Sequence, residues 1–211
     1  MKLILLGAPA SGKGTLARQI SKDFNLPHIS TGALFRESIL KGEKEGLTAQ
    51  SYMQTGQLVP DDLTVGILTK RLAQEDCKRG FILDGFPRTI NQARLLQKEH
   101  EIDAVILLDI DLEEVSRRIL GRVTCSNCGE IYNTSFYSEE ACSKCGGTLE
   151  RRGDDNEQTI KSRFEVYQRE NAPLITFYEN KIKHFAGQER PEQLYKLIKC
   201  FLEKSFKGQK E

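Results

Sequence analysis

The sequence has almost no net charge and no long apolar run. Its 31 Lys and Arg residues are balanced by 30 Asp and Glu residues, which leaves a net charge of +1. A balanced charge excludes a global attraction to nucleic acid or to an anionic membrane, so basic groups must act locally. The first apolar run ends at Gly7, far short of a signal-peptide core or a membrane span. We therefore expect no targeting segment, no membrane partner and no nucleic-acid partner.

Histidine is scarce, and its three copies form no catalytic group. His28, His100 and His184 lie far apart in the sequence, and we assign a role to none of them. With 211 residues, 38% hydrophobic and 29% charged, the chain is long enough for one substantial core with small insertions.

A glycine-rich loop follows the first apolar segment. Residues 7–15 read Gly-Ala-Pro-Ala-Ser-Gly-Lys-Gly-Thr and satisfy the pattern G-x-x-x-x-G-K between a predicted strand and a predicted helix. In that context backbone N–H groups converge on phosphate oxygens, and Lys13 supplies a mobile charge for the outer phosphates. Gly14 stands at the position where many such loops carry the Ser or Thr that bonds magnesium. Thr15 follows one position later, so the sequence does not decide whether its hydroxyl bonds magnesium directly. The alternative is a glycine turn without function.

Four of the six cysteines are clustered in two C-x-x-C pairs, Cys125 with Cys128 and Cys142 with Cys145. Each C-x-x-C turn can aim two thiolates at one point, so two turns complete a closed tetrahedral site typical of structural zinc. Disulfides or a redox C-x-x-C are the alternatives. Because the chain carries no secretory signal, this cysteine usage predicts a reducing compartment, the cytoplasm. Cys77 and Cys200 stand alone and read as small, semi-buried apolar residues.

Apolar segments alternate between strand-like and helix-like along the chain, which predicts an α/β fold with a parallel sheet covered by helices. Predicted strands cover residues 2–6, 26–29, 81–83, 104–108 and 183–186, and predicted helices cover 15–24, 111–120, 157–181 with a kink at Pro173, and a final segment from 191. Asp111 and Glu114 resemble a helix-capping pair. A polar tail is expected at residues 207–211.

Two stretches interrupt this rhythm and are interpreted as insertions on one core. The arm segment, residues 30–59, contains helical pieces broken at Gly42, Gly46 and Gly56; the lid segment, residues 122–159, contains the four cysteines. The predicted core is therefore residues 1–29, 60–121 and 160–211. In such folds ligands bind at the carboxyl ends of the strands.

Charged residues near these segments suggest phosphate chemistry. Asp84 ends an apolar strand, as does the carboxylate that orients Mg²⁺ beside a phosphate-binding loop, although a solvated aspartate is the common alternative. Arginines flank the glycine turns and the edges of the insertions, where they could close over phosphates. They are Arg36, Arg88, Arg118, Arg122, Arg151, Arg152 and Arg163, of which Arg151 reads as solvated.

Together these residues resemble the adenylate kinase family over nearly the whole chain. Residues 7–15 resemble the family's G-x-P-G-x-G-K-G-T loop, including Gly14, with Ala10 in place of a glycine. Residues 31–36 resemble its monophosphate-binding segment, and residues 84–92 its signature segment. The cysteine quartet resembles zinc-bearing bacterial lids, although Asn133 stands where histidine often follows the tyrosine.

The resemblance implies two substrate sites and a set of charged catalytic residues. On the ATP side it implies Ala10, Ser11, Gly12, Lys13, Gly14, Thr15, Arg118, Arg122, Ile131, Tyr132 and Gln188. On the AMP side it implies Thr31, Arg36, Gln57, Leu58, Val59, Gly85, Phe86, Pro87, Arg88, Gln92, Arg152 and Arg163. For catalysis it implies Lys13, Asp84, Arg88, Arg122, Arg152 and Arg163, with Asp154 and Asp155 at the lid hinge.

The expected activity is reversible transfer of a phosphoryl group from Mg·ATP to AMP, with structural Zn²⁺ in the lid and a monomeric chain. A UMP/CMP-type kinase is the nearest alternative, and Thr31 with Gln92 favours AMP. A phosphate-loop ATPase or switch with a partner-binding zinc ribbon is the other. Between Cys128 and Cys142 the chain carries three glutamates and no basic residue, a poor surface for nucleic acid.

Overall fold

The computed structural model describes residues 1–206, and the polar tail predicted at 207–211 lies outside them. The strands are β1 (Lys2–Gly7), β2 (His28–Ser30), β3 (Phe81–Asp84), β4 (Ala104–Asp109), β5 (Arg122–Cys125), β6 (Ile131–Asn133), β7 (Leu149–Glu150) and β8 (Ile182–Ala186). The helices are α1 (Lys13–Phe24), α2 (Thr31–Leu40), α3 (Lys44–Thr55), α4 (Asp61–Leu72), α5 (Ile90–Glu99), α6 (Leu112–Leu120), α7 (Glu157–Phe177) and α8 (Pro191–Ser205). Within the described part of the chain, no helix combines the length and apolar character that crossing a bilayer requires.

Five strands form a central parallel sheet in the order β2-β3-β1-β4-β8. Leu3 of β1 lies opposite Ile82 of β3 on one side and Ala104 of β4 on the other. All three of these side chains are buried, as expected for strands covered on both faces. The parallel order brings the ends of β1, β2 and β3 to one edge of the sheet, and the glycine-rich loop follows β1 there.

Helices cover both faces of the sheet with separate apolar clusters. On one face, α1 and α8 pack through Leu16, Ile20 and Ile198 against the inner strands. On the other face, α4, α5 and the end of α7 contribute Leu68, Leu96 and Leu174. This confirms the predicted α/β fold, in which a rigid sheet holds the loops at its carboxyl edge.

The cysteines lie in a second, smaller sheet. Strands β5, β6 and β7 pair antiparallel in the order β6-β5-β7, and none of them pairs with the central sheet. These strands are two to four residues long, and none of them was predicted from the sequence. Such short strands need an additional constraint for stability.

The arm segment contains α2 and α3, and one predicted helix break is wrong. Gly46 lies inside α3 instead of ending a helix. A Cβ at Gly46 would lie 2.4 Å from the backbone N of Ile39 and 2.4 Å from the carbonyl carbon of Ser38. Gly46 therefore permits close approach to the end of α2, which is a packing reason for the glycine.

Several other sequence expectations change. Helices α4 and α5 were not predicted, and α7 ends at Phe177 instead of near Lys181. Helix α7 continues through Pro173, and the carbonyl that loses its helical partner belongs to Arg169, an exposed residue. Cys77 is buried as expected, but Cys200 is exposed.

The helix cap at Asp111 is confirmed. The Asp111 carboxylate accepts a hydrogen bond of 2.8 Å from the backbone N–H of Glu114 at the start of α6. The cap defines the start of α6, and the C-terminal end of this helix leads into the lid segment.

Candidate active site

The glycine-rich loop is bent tightly around the ammonium group of Lys13. Lys13 Nζ donates to the carbonyls of Gly7 and Ala8, both at 2.7 Å, and lies 3.3 Å from Ser11 Oγ. Gly7 has φ 144°, and a Cβ there would lie 2.8 Å from the Leu108 carbonyl oxygen. Gly12, with φ 99°, precedes α1, whose first N–H groups face the loop. This is the geometry of a phosphate-binding loop at a helix N-terminus.

The surroundings of Lys13 disfavour its charge. Burial lowers its pKa from 10.5 to about 8; Asp84 partly opposes this shift, whereas the positive charges of Arg88 and Arg122 add to it. The loop therefore holds a cation that an anion would stabilise.

Asp84 lies at the end of β3 beside the loop. A Cβ at Gly14 would lie 3.5 Å from Asp84 Oδ2, so the carboxylate faces the loop backbone. His28 of β2 places its Nε2 3.3 Å from the same oxygen. Burial opposes ionisation of Asp84, but the hydrogen bond from His28 and the charge of Lys13 outweigh it, and the Asp84 pKa lies below its ordinary value. His28, to which no role was assigned from the sequence, therefore lies against this carboxylate.

Arginines from the arm, the core and the lid converge on the same region. Arg122 forms a two-pronged ion pair with Asp155, and Arg163 pairs with Asp154 and lies 3.5 Å from Asp155. The cations of this region outnumber its carboxylates. The cations are Lys13, Arg36, Arg88, Arg122, Arg152 and Arg163, and the carboxylates are Asp84, Asp154 and Asp155.

The excess of positive charge is visible in the arginine pKa values. Burial, followed by the charges of Arg36 and Arg122, lowers the pKa of Arg152 to about 9. Burial also lowers the pKa of Arg36 and of Arg88, and Arg163 adds to the shift at Arg88. Because the site disfavours the charged forms of its own basic side chains, it is electrostatically complementary to several negatively charged phosphates.

The residues expected on the ATP side lie around the loop, with one exception. Arg118 bonds the carbonyl of Gly187 at 2.8 Å, and a Cβ at Gly12 would lie 4.0 Å from its guanidinium. The neighbouring Gln188 donates to Asp111 at 2.7 Å. Ile131 of the lid lies near Gly14; a Cβ there would be 3.8 Å from Ile131 Cδ1.

Tyr132 is the exception, because its hydroxyl is directed at the cysteines. Tyr132 Oη lies 3.2 Å from Cys142 Sγ and 3.1 Å from Ser143 Oγ. Its ring packs against Tyr137 with 4.2 Å between centroids.

The residues expected on the AMP side lie between the arm, the β3 end and α7. Thr31 Oγ1 donates to the carbonyl of Gly85 at 2.9 Å, and Gln57 Nε2 donates to Ser162 Oγ of α7 at 2.9 Å. Gln92 is buried at the start of α5, where its Oε1 accepts from the backbone N–H of Arg88 at 2.8 Å. Three further residues expected on this side, Val59, Phe86 and Pro87, are buried, and Leu58 is half-buried.

The four clustered cysteines fit a tetrahedral metal site. Their Sγ atoms all lie within 4.8 Å of one another. Cys125 and Cys145 approach to 3.5 Å, and Cys128 and Cys142 to 3.6 Å, too far for disulfides. Zinc–sulfur bonds of about 2.3 Å in a tetrahedron place sulfurs roughly 3.8 Å apart, which matches these distances.

Comparison with known proteins identifies the family. A family model described as adenylate kinase matches residues 5–183. An adenylate kinase of a Geobacillus species is 43% identical over 96% of this chain and 98% of its own length. The chain belongs to the adenylate kinase family. Further relatives carrying that name come from Archaeoglobus fulgidus, 44% identical over 97% of this chain and 99% of that protein, and from Clostridium tetani, 47% identical over 86% and 88%.

In this member of the adenylate kinase family, sequence reasoning missed contacts that connect distant segments. His28 and Asp84 are brought together by the pairing of β2 with β3. Arg18 of α1 forms an ion pair of 3.2 Å with Glu130 of the lid. Asp61, at the start of α4, bonds Gln92 at 2.7 Å. No local pattern pointed to His28, which begins β2 opposite Ile82 and not opposite Asp84.

Proposed function

We propose that this chain catalyses phosphoryl transfer from ATP to AMP, giving two ADP in a reversible reaction. The observation that carries the proposal is the meeting of Lys13 with arginines from the arm, the core and the lid around one edge of the sheet. The triphosphate of ATP and the phosphate of AMP bring the negative charge that this arrangement lacks. Membership of the family supports the same reaction.

Catalysis in this proposal comes from alignment and charge. An oxygen of the AMP phosphate attacks the γ-phosphorus of ATP while the bond to the β-phosphate oxygen breaks, and ADP leaves. The AMP phosphate is itself the nucleophile, so no general base is needed. Lys13, Arg88 and Arg122 would neutralise charge on the moving group, with Arg152 and Arg163 completing the set.

Asp84 is the residue that would hold Mg²⁺ together with the nucleotide phosphates. Its pKa lies below its ordinary value and it faces the loop at Gly14, which suits a hard cation that prefers oxygen ligands. Bound Mg²⁺ supplies additional neutralisation of phosphate charge. His28 holds the carboxylate in place through its ring nitrogen.

Zinc is the metal that the four cysteines suit best. All four ligand positions are filled by sulfur, so the site is closed and structural in the proposal. Backbone N–H groups of residues 128 and 127 lower the pKa of Cys125. At Cys142 the Tyr132 hydroxyl and the N–H groups of residues 144 and 145 outweigh the effect of burial and lower the pKa to about 6. The metal would hold together a sheet of very short strands.

Closure of the arm and lid over the substrates would exclude water, a competing acceptor for the phosphoryl group. We propose residues 30–59 and 122–159 as the two mobile parts and the remaining residues as the core. A chain whose arm and lid must swing is proposed to work as a monomer, and the cytoplasmic location inferred from cysteine usage stays a prediction.

A coupled assay for ADP formation from Mg·ATP tests the proposal, with AMP, CMP, UMP and GMP offered in turn. Turnover with AMP far above that with the other acceptors is the expected result. Turnover with CMP or UMP instead would favour the UMP/CMP-type alternative. Absence of transfer to every acceptor, with ATP still bound, would overturn the kinase assignment in favour of an ATPase or switch.

A further inference from the structure

Asp61 accepts hydrogen bonds from several side chains at the start of α5. Its Oδ1 accepts from Gln92 Nε2 at 2.7 Å, and its Oδ2 accepts from Asn91 Nδ2 at 2.8 Å. The hydroxyl of Thr89 donates to Oδ2 at 3.0 Å. Thr89 Oγ1 in turn caps α5 by accepting from the backbone N–H of Gln92 at 3.1 Å. The carboxylate therefore holds Gln92 and its surroundings as one network.

The Gln92 amide has only one orientation that satisfies its partners. Oε1 faces the backbone N–H of Arg88, which can only donate, and Nε2 faces the Asp61 carboxylate, which when ionised can only accept. The residue is 1% exposed, so water cannot replace a lost partner. Rotating the amide by half a turn would set two donors against each other at Arg88 and two acceptors against each other at Asp61.

We propose that Asp61 is a positioning residue that determines base specificity by fixing the polarity of the Gln92 amide. The inference rests on the proposed function and on the expectation, implied by the family resemblance, that Gln92 contacts the base of AMP. Asp61 touches no substrate in this role and acts through Gln92 alone.

Base chemistry explains why the amide polarity matters. With Arg88 and Asp61 engaged, Gln92 keeps one free N–H and one free oxygen lone pair. Adenine offers a matching pair, an acceptor ring nitrogen next to the donor amino group at position 6. Hypoxanthine and guanine carry the opposite pair, an acceptor oxygen at position 6 next to a protonated N1. A freely rotating amide can pair with either set, whereas a locked amide fits adenine.

The test compares AMP with IMP as acceptors in the intact enzyme. IMP has nearly the same shape as AMP and inverts the donor and acceptor at this edge of the base. In Asp61→Asn, we expect the AMP-to-IMP ratio of kcat/KM to fall about tenfold, because one of the two contacts that fix the amide becomes able to donate. The change should lie mainly in the KM for the acceptor, with the KM for ATP unchanged.

Asp62→Asn is the matched control, since it removes the same charge from an exposed neighbour on the same helix turn. Its AMP-to-IMP ratio should equal that of the wild type. If Asp61→Asn does not fold, Asp61→Ser, which keeps a hydroxyl but removes the carboxylate, takes the same test.

An unchanged ratio in a folded Asp61 variant would overturn the inference, as would an equal loss of activity with both acceptors, which marks a purely structural role. A wild-type enzyme that does not use AMP would instead overturn the proposed function itself, and with it the role of Asp61. The outcomes are distinguished by the wild-type assay with AMP, which is measured first.

Discussion

Lys13 shows how a single side chain can be prepared for an anion. Its ammonium group is bonded to carbonyl oxygens of the loop at 2.7 Å, yet burial and nearby arginines lower its pKa to about 8. A phosphate would restore the balance by adding negative charge. The free enzyme and the ATP complex should therefore differ in the pH at which Lys13 loses its proton.

The pH dependence of ATP use follows from this shift. Because the Lys13 pKa in the free enzyme is lowered to about 8, kcat/KM for ATP should fall as the pH rises through that value. The kcat should stay level over the same range, since bound phosphates raise the pKa. Steady-state kinetics between pH 6 and about pH 9.5 measure both quantities.

Loss of the Lys13 proton affects stability in the opposite sense: as the pH rises, kcat/KM for ATP should fall, whereas the free energy of unfolding should increase. Between about pH 8 and pH 10.5 the unfolded chain keeps the Lys13 proton that the folded chain has lost, so this group makes the free energy of unfolding increase with pH.

A kcat/KM for ATP that stays constant well above pH 8 would contradict the shifted Lys13 pKa. The kcat/KM for AMP at saturating ATP is the internal control and should not show this fall.

Residue identities at the site were predictable where a local pattern encodes them. The loop at 7–15 and the strand ending at Asp84 could be read directly, because each motif is contiguous. His28 and Asp61 could not, because their partners Asp84 and Gln92 are 56 and 31 positions away and meet only through strand pairing and helix packing. The hydroxyl of Tyr132 turns toward Cys142 for the same kind of reason, a contact set by the fold of the lid.

At the scale of elements, the lid sheet differs most from the rest of the chain. Its strands are very short, and its buried side chains include Val123, Cys125 and Cys142. So small an apolar cluster contributes little to folding, whereas metal binding contributes directly. The cysteines should therefore control the stability of the lid more than the chemistry of the reaction.

Replacing Cys142 and Cys145 with Ser tests whether the cysteines act on the stability of the lid and not on the chemistry of the reaction. We expect loss of bound zinc and a melting temperature lower by several degrees, because metal binding free energy is lost from folding. Activity should remain measurable at low temperature. Calorimetry, zinc analysis and the coupled assay provide the three readouts.

Cys200→Ser is the control for these substitutions, since Cys200 is exposed and lies outside the cluster. It should change neither zinc content nor melting temperature. If the double variant lost all activity while its core and lid stayed folded, the purely structural role of the metal would be wrong.

The elements themselves were predictable to the extent that their periodicity was strong. Strands β1, β3 and β4 are continuous apolar runs and were found. Helices α4 and α5 were missed; α4 lacks a clear apolar stripe, whereas α5 buries Ala93 and Leu96 on one face. Gly46 was read as a helix break because glycine disfavours helices, but tight packing against Ser38 outweighs that preference. The strands of the lid are too short for any alternation to be visible.

At the scale of the whole molecule, the arm and the lid both lie against the core. The arm reaches α7 through Gln57 and Ser162, 2.9 Å apart, and the lid reaches α1 through Glu130 and Arg18, 3.2 Å apart. Glu130 also pairs with Lys144 inside the lid at 3.3 Å. In the proposed closure, the pair with Arg18 connects two parts that separate for ATP to enter, so it should favour the closed lid.

Arg18→Gln should weaken this closure. A half-exposed ion pair contributes about 0.2–1 kcal/mol. We therefore expect a KM for ATP about two- to fivefold higher than in the wild type, with kcat unchanged or raised. The difference from the wild type should shrink at high salt, because screening weakens the pair. Steady-state kinetics at two ionic strengths measure it.

Lys144→Gln is the matched control, because it breaks the other pair of Glu130, the one that lies wholly inside the lid. Its KM for ATP should stay near that of the wild type. Equal kinetics for Arg18→Gln and the wild type at low salt would show that the ion pair does not influence the lid.

The separation of the two sheets has a consequence for how such a chain can evolve. Within the described residues, strands β5, β6 and β7 pair only with one another, and the chain enters this small sheet at Arg122 and leaves it at Glu150, which lies opposite Thr124. Substitutions that strengthen or weaken the small sheet therefore leave the register of the catalytic sheet untouched. Natural selection for heat tolerance, or for independence from metal supply, can act on the lid while the chemistry beneath it is inherited unchanged.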